Sequence, residues 1–148
     1  ENYIDRKSSA FVGLYENLVE DLDFEYSRPQ ENGYRTDVRW FRALNENNIG
    51  FEIKGEPLIS FSAHYNTIED FDDGLRPNNP GEKVGTRKRI IKKQRKPIDV
   101  PKRDFISLNI DLKQMGVGGD NSWGARTLPK YTISPGNYSY SFTISPVN

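Results

Sequence analysis

The chain has 148 residues, no cysteine, one histidine and a formal net charge of zero. That length fits one domain or a piece of one. Without cysteine there are no disulfides, no thiolate catalysis and no Cys-ligated zinc, and a lone His64 cannot build a multi-histidine metal site.

Hydrophobic residues make up only 34% of the chain while aromatics reach 12%, so the core must draw on Tyr, Phe, Trp, Ile and Leu. Eight Tyr, eight Phe, nine Pro and twelve Gly favour strands and turns. No apolar run approaches the roughly 20 residues that span a bilayer, so no membrane partner is expected. No leader pattern stands at Glu1, and the opening without Met leads us to expect an upstream part. Cysteine usage fits a bacterial cytoplasm or periplasm equally and leaves localisation open. Charge is unevenly distributed: residues 1–75 carry 7 Lys/Arg against 16 Asp/Glu, and residues 76–148 carry 14 against 5. The two parts attract each other or present opposite faces.

In chain order, residues 1–9 are polar and predict a loop. Ala10–Tyr15 is apolar enough for a strand. Glu16–Glu25 fits either a short helical turn or an irregular edge. Arg28-Pro29 and Asn32-Gly33 are breaking signals. Arg35–Leu44 alternates, with Thr36, Val38, Trp40, Arg42 and Leu44 on one side, and predicts a strand with one mostly apolar face. Asn45–Asn48 is turn chemistry, so Ile49–Lys54 is expected to return as its hairpin partner and to end at Gly55-Glu56-Pro57. Leu58–Tyr65 reads as a further strand. Thr67 before Glu69 and Asp70 predicts a cap on a single helical turn. Residues 76–103 read as a long basic loop or edge. Asp104–Asp111 alternates, and Tyr138–Ile144 alternates most clearly, preceded by the turn Pro135-Gly136-Asn137. About seven short strands separated by turns predict an all-β fold over residues 1–148: an antiparallel β-sandwich with long loops.

Residues 115–124 read Met-Gly-Val-Gly-Gly-Asp-Asn-Ser-Trp-Gly. Gly116, Gly118 and Gly119 allow backbone angles and close approaches that side chains forbid. Asp120, Asn121 and Ser122 then lead into Trp123. No G-x-x-x-x-G-K-[ST] is present and no helix pattern follows, which argues against phosphate binding. On the residues alone two readings stand. Trp123 either packs on the core beneath a hairpin loop or serves as a platform for a flat apolar ligand face, such as the C–H face of a sugar. The Asp, Asn and Ser beside it favour the platform, because polar-ligand sites couple apolar surface to hydrogen-bonding groups.

The basic run Thr86–Lys96, with seven Lys/Arg in eleven residues, is the rival feature. It offers a nucleic-acid patch, or else a solvated loop or an edge protected against aggregation. No aromatic is interleaved for base stacking and the whole chain is neutral, so a nucleic-acid partner is disfavoured. His64 lacks a G-x-S-x-G nucleophile motif and reads as structural. The acidic stretches lack EF-hand spacing. Nothing marks out a glycosidase carboxyl pair among the 21 acids, so no catalytic residue and no metal ligand is assigned.

Six collinear segments carry a resemblance. They are Glu1-Asn2-Tyr3-Ile4-Asp5-Arg6, Pro29-Gln30-Glu31-Asn32-Gly33-Tyr34-Arg35, Phe61-Ser62-Ala63 with Tyr65, Asn109-Ile110-Asp111, Gln114–Gly124 and Tyr138–Phe142. Together they resemble the C-terminal region of large bacterial β-galactosidases. The resemblance implies the later part of a β-supersandwich domain. It also implies an upstream (β/α)₈ barrel that holds the catalytic glutamates, and Mg²⁺ and Na⁺ ligands outside this chain. The implied parent is a homo-oligomer that hydrolyses terminal β-galactosides by retaining chemistry. Trp123 matches the family's sugar-stacking Trp, with Gly118, Gly119, Asp120, Asn121 and Ser122 as loop support. The chain alone is then expected to be inactive and to expose apolar surface where missing parts packed. A free-standing carbohydrate-binding module is the alternative, and an interaction domain using residues 83–96 comes after it. Two departures from the family stand out: the richness of Lys/Arg in residues 83–96, and a spacing around Ala63-His64-Tyr65 one residue short.

Overall fold

A computed structural model describes Ile4 and residues 10–23, 32–71, 100–118 and 124–148. β1 (Arg35–Leu44) and β2 (Gly50–His64) form a hairpin. Its turn is built by Asn45, whose side-chain oxygen accepts the amides of Asn47 (2.9 Å) and Ile49 (3.0 Å). Asn48 takes the left-handed conformation at φ 61°, one that Asn tolerates better than most residues. β1 has the bounds its alternation predicts.

β2 corrects the sequence reading. The expected stop at Gly55-Glu56-Pro57 does not occur, and one strand of 15 residues replaces two short ones. Gly55 and Glu56 pair with Phe142 and Ser141 of β4 (Ser141–Val147), while on the β1 side the register jumps from Trp40↔Lys54 to Val38↔Ile59. Pro57, which has no amide to donate, sits inside that irregularity, where a sheet tolerates it.

A second irregularity lies in β1 between Arg35↔Phe61 and Val38↔Ile59, with Asp37 at φ 55°. Thr36 and Val38 still lie on the buried side, and the alternation changes face at the irregularity between Val38 and Trp40. Beyond it Phe41 and Ala43 are half-buried, while Trp40 and Leu44 are both 42% exposed, against the single apolar face read from the sequence. Phe41 stacks on Phe61 with ring centroids 4.0 Å apart. Ile53 and Ile59, buried almost completely, form the centre with Tyr34 and Ala63.

β3 (Ser107–Asp111) and β4 both pair antiparallel with β2, on the side away from β1. β3 lies along Ser60–His64 and β4 along Gly50–Glu56. They run in the same direction, so they are two halves of one interrupted edge strand. The chain leaves that line after Asp111 and resumes it at Ser141. Both halves begin three residues later than their alternation predicts. Pro146 on β4 fits an edge.

The predicted strand Ala10–Tyr15 is absent: residues 11–18 are irregular and exposed. A strand needs a ladder partner, and none among the described residues pairs with this segment. Glu16–Glu25 resolves into a 3₁₀ turn at Val19–Leu22. Thr67 precedes the single helical turn α1 (Ile68–Phe71), as predicted. The Thr67 amide donates to the Asp70 carboxylate at 3.0 Å, and the Asp70 amide donates to the Thr67 backbone carbonyl at 3.2 Å, so it is the Asp70 side chain and not the Thr67 hydroxyl that ties the start of the turn. The architecture is thus all-β and antiparallel, as in a sheet of a β-sandwich, with four strands among the described residues. The predicted loop at residues 76–85 and the basic run 83–96 lie outside them.

Candidate functional site

The glycine-rich loop emerges from the break between β3 and β4, and three sets of bonds hold its root. Tyr140 donates its hydroxyl to the Ile110 carbonyl at 2.9 Å, tying the two half-strands across the gap. Tyr34 donates to Asp111 Oδ2 at 3.1 Å, on the last residue of β3. The Gly116 amide donates to the Tyr131 carbonyl at 2.9 Å and closes the loop on the 3₁₀ turn Pro129–Tyr131.

Gly118 marks where the chain turns into the tip. Its φ of +84° lies in the left-handed region, while a methyl group there would stand 3.5 Å from the Ala125 carbonyl oxygen and the Thr127 amide nitrogen, an ordinary contact. Backbone conformation, not space, therefore demands glycine. The same distances bring the outgoing strand of the loop beside residues 125–127 of the returning one. The described chain ends at Gly118 and resumes at Gly124. Gly119, Asp120, Asn121, Ser122 and Trp123 lie outside the described residues. Around the root, Met115, Val117 and Leu128 are exposed.

Tyr34 is placed from the opposite side of the chain. Gly33, at φ +66°, lets the backbone pass the 3₁₀ turn so closely that a Cβ would stand 1.9 Å from the Leu22 carbonyl oxygen. This delivers Tyr34 into the sheet, where it is 6% exposed. Burial, reinforced by the Asp111 charge, raises its phenol pKa well above the ordinary value of 10.0, so Tyr34 stays a neutral donor. The Ser60 hydroxyl bonds to the same phenol, and Ser60 is the register partner of Asp111. Sequence reading gave Tyr34, Asp111 and Tyr140 no role in the site, although each lies in a segment that carries the resemblance.

His64 is structural here. Its buried ring places Nδ1 2.5 Å from Asp23 Oδ1, fixing the 3₁₀ turn to the end of β2. Nε2, where a triad nucleophile would stand, is buried and has no hydrogen-bond partner among the described residues. No three His, Asp or Glu side chains converge among the described residues. Among the same residues no helix is long and apolar enough to cross a membrane.

An antiparallel all-β domain that presents a glycine-footed loop from a broken edge strand defines the class. Residues 1–144 match the family model for the beta galactosidase small chain, and the chain belongs to that family. Similar curated proteins include beta-galactosidases from Priestia megaterium (36% identical over 99% of this chain) and from Halalkalibacterium halodurans (32% over 90%). A beta-galactosidase from Streptococcus thermophilus is 29% identical over 100% of the chain. The chain spans only 12%, 11% and 13% of the lengths of these three relatives.

Proposed function

We propose that this chain is the C-terminal sandwich portion of a β-galactosidase, in which Trp123 completes the sugar site as a stacking platform. The observation that carries the reading is the family match across nearly the whole chain combined with its small share of each relative's length. The loop root supports it, since the outgoing and returning strands are tied beside each other at Gly116–Gly118 and Ala125–Tyr131. Asp120 and Ser122 brace the indole, and Gly118, Gly119 and Asn121 shape the turn. Paired glutamates elsewhere in the parent carry out the retaining double displacement on a terminal β-galactoside. The Mg²⁺ and Na⁺ that the resemblance implies belong to residues outside this chain.

Stacking of an indole on a pyranose buries apolar surface in the ground state as much as in the transition state, so it acts on affinity. Trp123→Ala in the full-length parent is therefore expected to raise KM about tenfold, with kcat changed less than about twofold. Steady-state kinetics on a chromogenic galactoside measures both. Equal losses in kcat and kcat/KM would refute the stacking role, and turnover by the isolated 148 residues would refute the division of labour.

A further inference from the structure

We infer that Tyr34 and Asp111 form a positioning pair that sets the root of the Trp123 loop, and through it the affinity for the galactoside. The inference rests on the stacking reading and extends it to residues that touch no sugar. Asp111 is the last residue of β3, and the chain turns into the loop at the next position. A single directional bond from Tyr34 fixes its carboxylate, and the Ser60 hydroxyl fixes the phenol in turn.

Burial of a phenol against a carboxylate adds little net stability, because desolvation offsets the bond, and a phenylalanine would fill the same volume. What phenylalanine cannot do is specify where the end of β3 lies. Backbone pairing alone leaves that end free to fray, since the edge strand is interrupted there and no residue follows in register until Ser141. The Tyr140 bond to Ile110 holds the preceding carbonyl, so two tyrosines, one just ahead of β1 and one just ahead of β4, grip adjacent residues at the end of β3. A loop whose root is fixed at Asp111 starts from one place, and stacking tolerates little displacement.

The test is a double-mutant cycle in the full-length enzyme, with active sites titrated so that unfolded protein does not count. Tyr34→Phe is expected to raise KM roughly three- to tenfold with kcat within about twofold, and to raise it less than about 1.5-fold in a Trp123→Ala background. Asp111→Ala is expected to match Tyr34→Phe, while Asp111→Asn, which keeps an acceptor oxygen, stays within about twofold of the parent. An unchanged KM in Tyr34→Phe, or one that multiplies in full with that of Trp123→Ala, overturns the positioning role and leaves the stacking reading intact. A KM unaffected by Trp123→Ala overturns both. Should Tyr34→Phe fail to fold, the Asp111 pair decides: loss with Ala and rescue by Asn support the inference, and equal loss with both overturns it.

Discussion

The chain leaves its sheet twice, and different chemistry closes the two departures. Residues 72–99 depart after α1 and return ahead of β3. Their neck is closed by Arg103, which donates from Nε and Nη2 to the buried Asp70 carboxylate and from its amide to the Tyr65 carbonyl at 2.6 Å. Lys102 adds an exposed bond to Glu20 at 2.6 Å. Residues 112–140 depart from the broken edge strand, and their neck is closed by two tyrosine hydroxyls and a backbone amide. The first neck sets a cation on a buried carboxylate, and the second relies on neutral phenol donors and a backbone amide. The first therefore depends on charge and the second on hydrogen-bond geometry. Under the proposed stacking role, the second neck is the one that bears on sugar affinity.

The largest blow to the second neck is Gly33→Ala. It puts a side chain at φ +66° and a Cβ against the Leu22 carbonyl oxygen. Left-handed strain alone costs about 1–2 kcal/mol, and the clash adds to it, so a loss above about 2 kcal/mol is expected by thermal or denaturant unfolding. KM should rise with it, because Tyr34 follows directly in the chain. Wild-type stability in this variant would show that the tight passage at Gly33 does not hold.

A smaller effect is expected at the first neck. Arg103→Met leaves the Asp70 carboxylate, only 6% exposed at its side chain, without its strongest cation. The melting temperature should fall by several degrees while KM stays unchanged. A rise in KM like that expected for Tyr34→Phe would erase the distinction between the necks.

The smallest effect sharpens the electrostatic side. Lys102 holds the Glu20 carboxyl below its ordinary 4.5, chiefly through their hydrogen bond, and Glu20 raises Lys102 above its ordinary 10.5 in return. A lowered acid stabilises the fold above its unfolded value and loses that contribution as pH falls through its folded value. A raised lysine stabilises below its unfolded value and loses it as pH rises through its folded one. The pair's contribution is thus full between about pH 4.5 and 10.5 and fades outside that window. Glu20→Gln should lower the melting temperature slightly within it, less so at high salt, and not at all in acid. Melting curves across pH with and without added salt measure this.

Strand existence was legible from local pattern wherever a segment was half-buried. β1 is where Arg35–Leu44 alternates, the Asn45 turn closes as its residues predict, and a single helical turn follows Thr67. The glycine loop announced itself by composition, and Gly118 takes the backbone conformation that glycine permits. Ala10–Tyr15 shows the limit of such reading, because apolar composition makes a strand only where a ladder partner waits. Trp40 and Leu44 show another, since the register shift between Val38 and Trp40 reversed their faces without altering the alternation in the letters.

The residue order by itself determined the all-β class, the hairpin, the helical turn after Thr67 and the glycine loop, because these follow from side-chain periodicity and from φ preferences within a few positions. Only the tertiary structure decided that β2 runs through Pro57, that β3 and β4 are halves of one line, and that Tyr34 reaches Asp111 at a sequence separation of 77. Those depend on which distant strands share hydrogen bonds, and no local pattern encodes the identity of a partner.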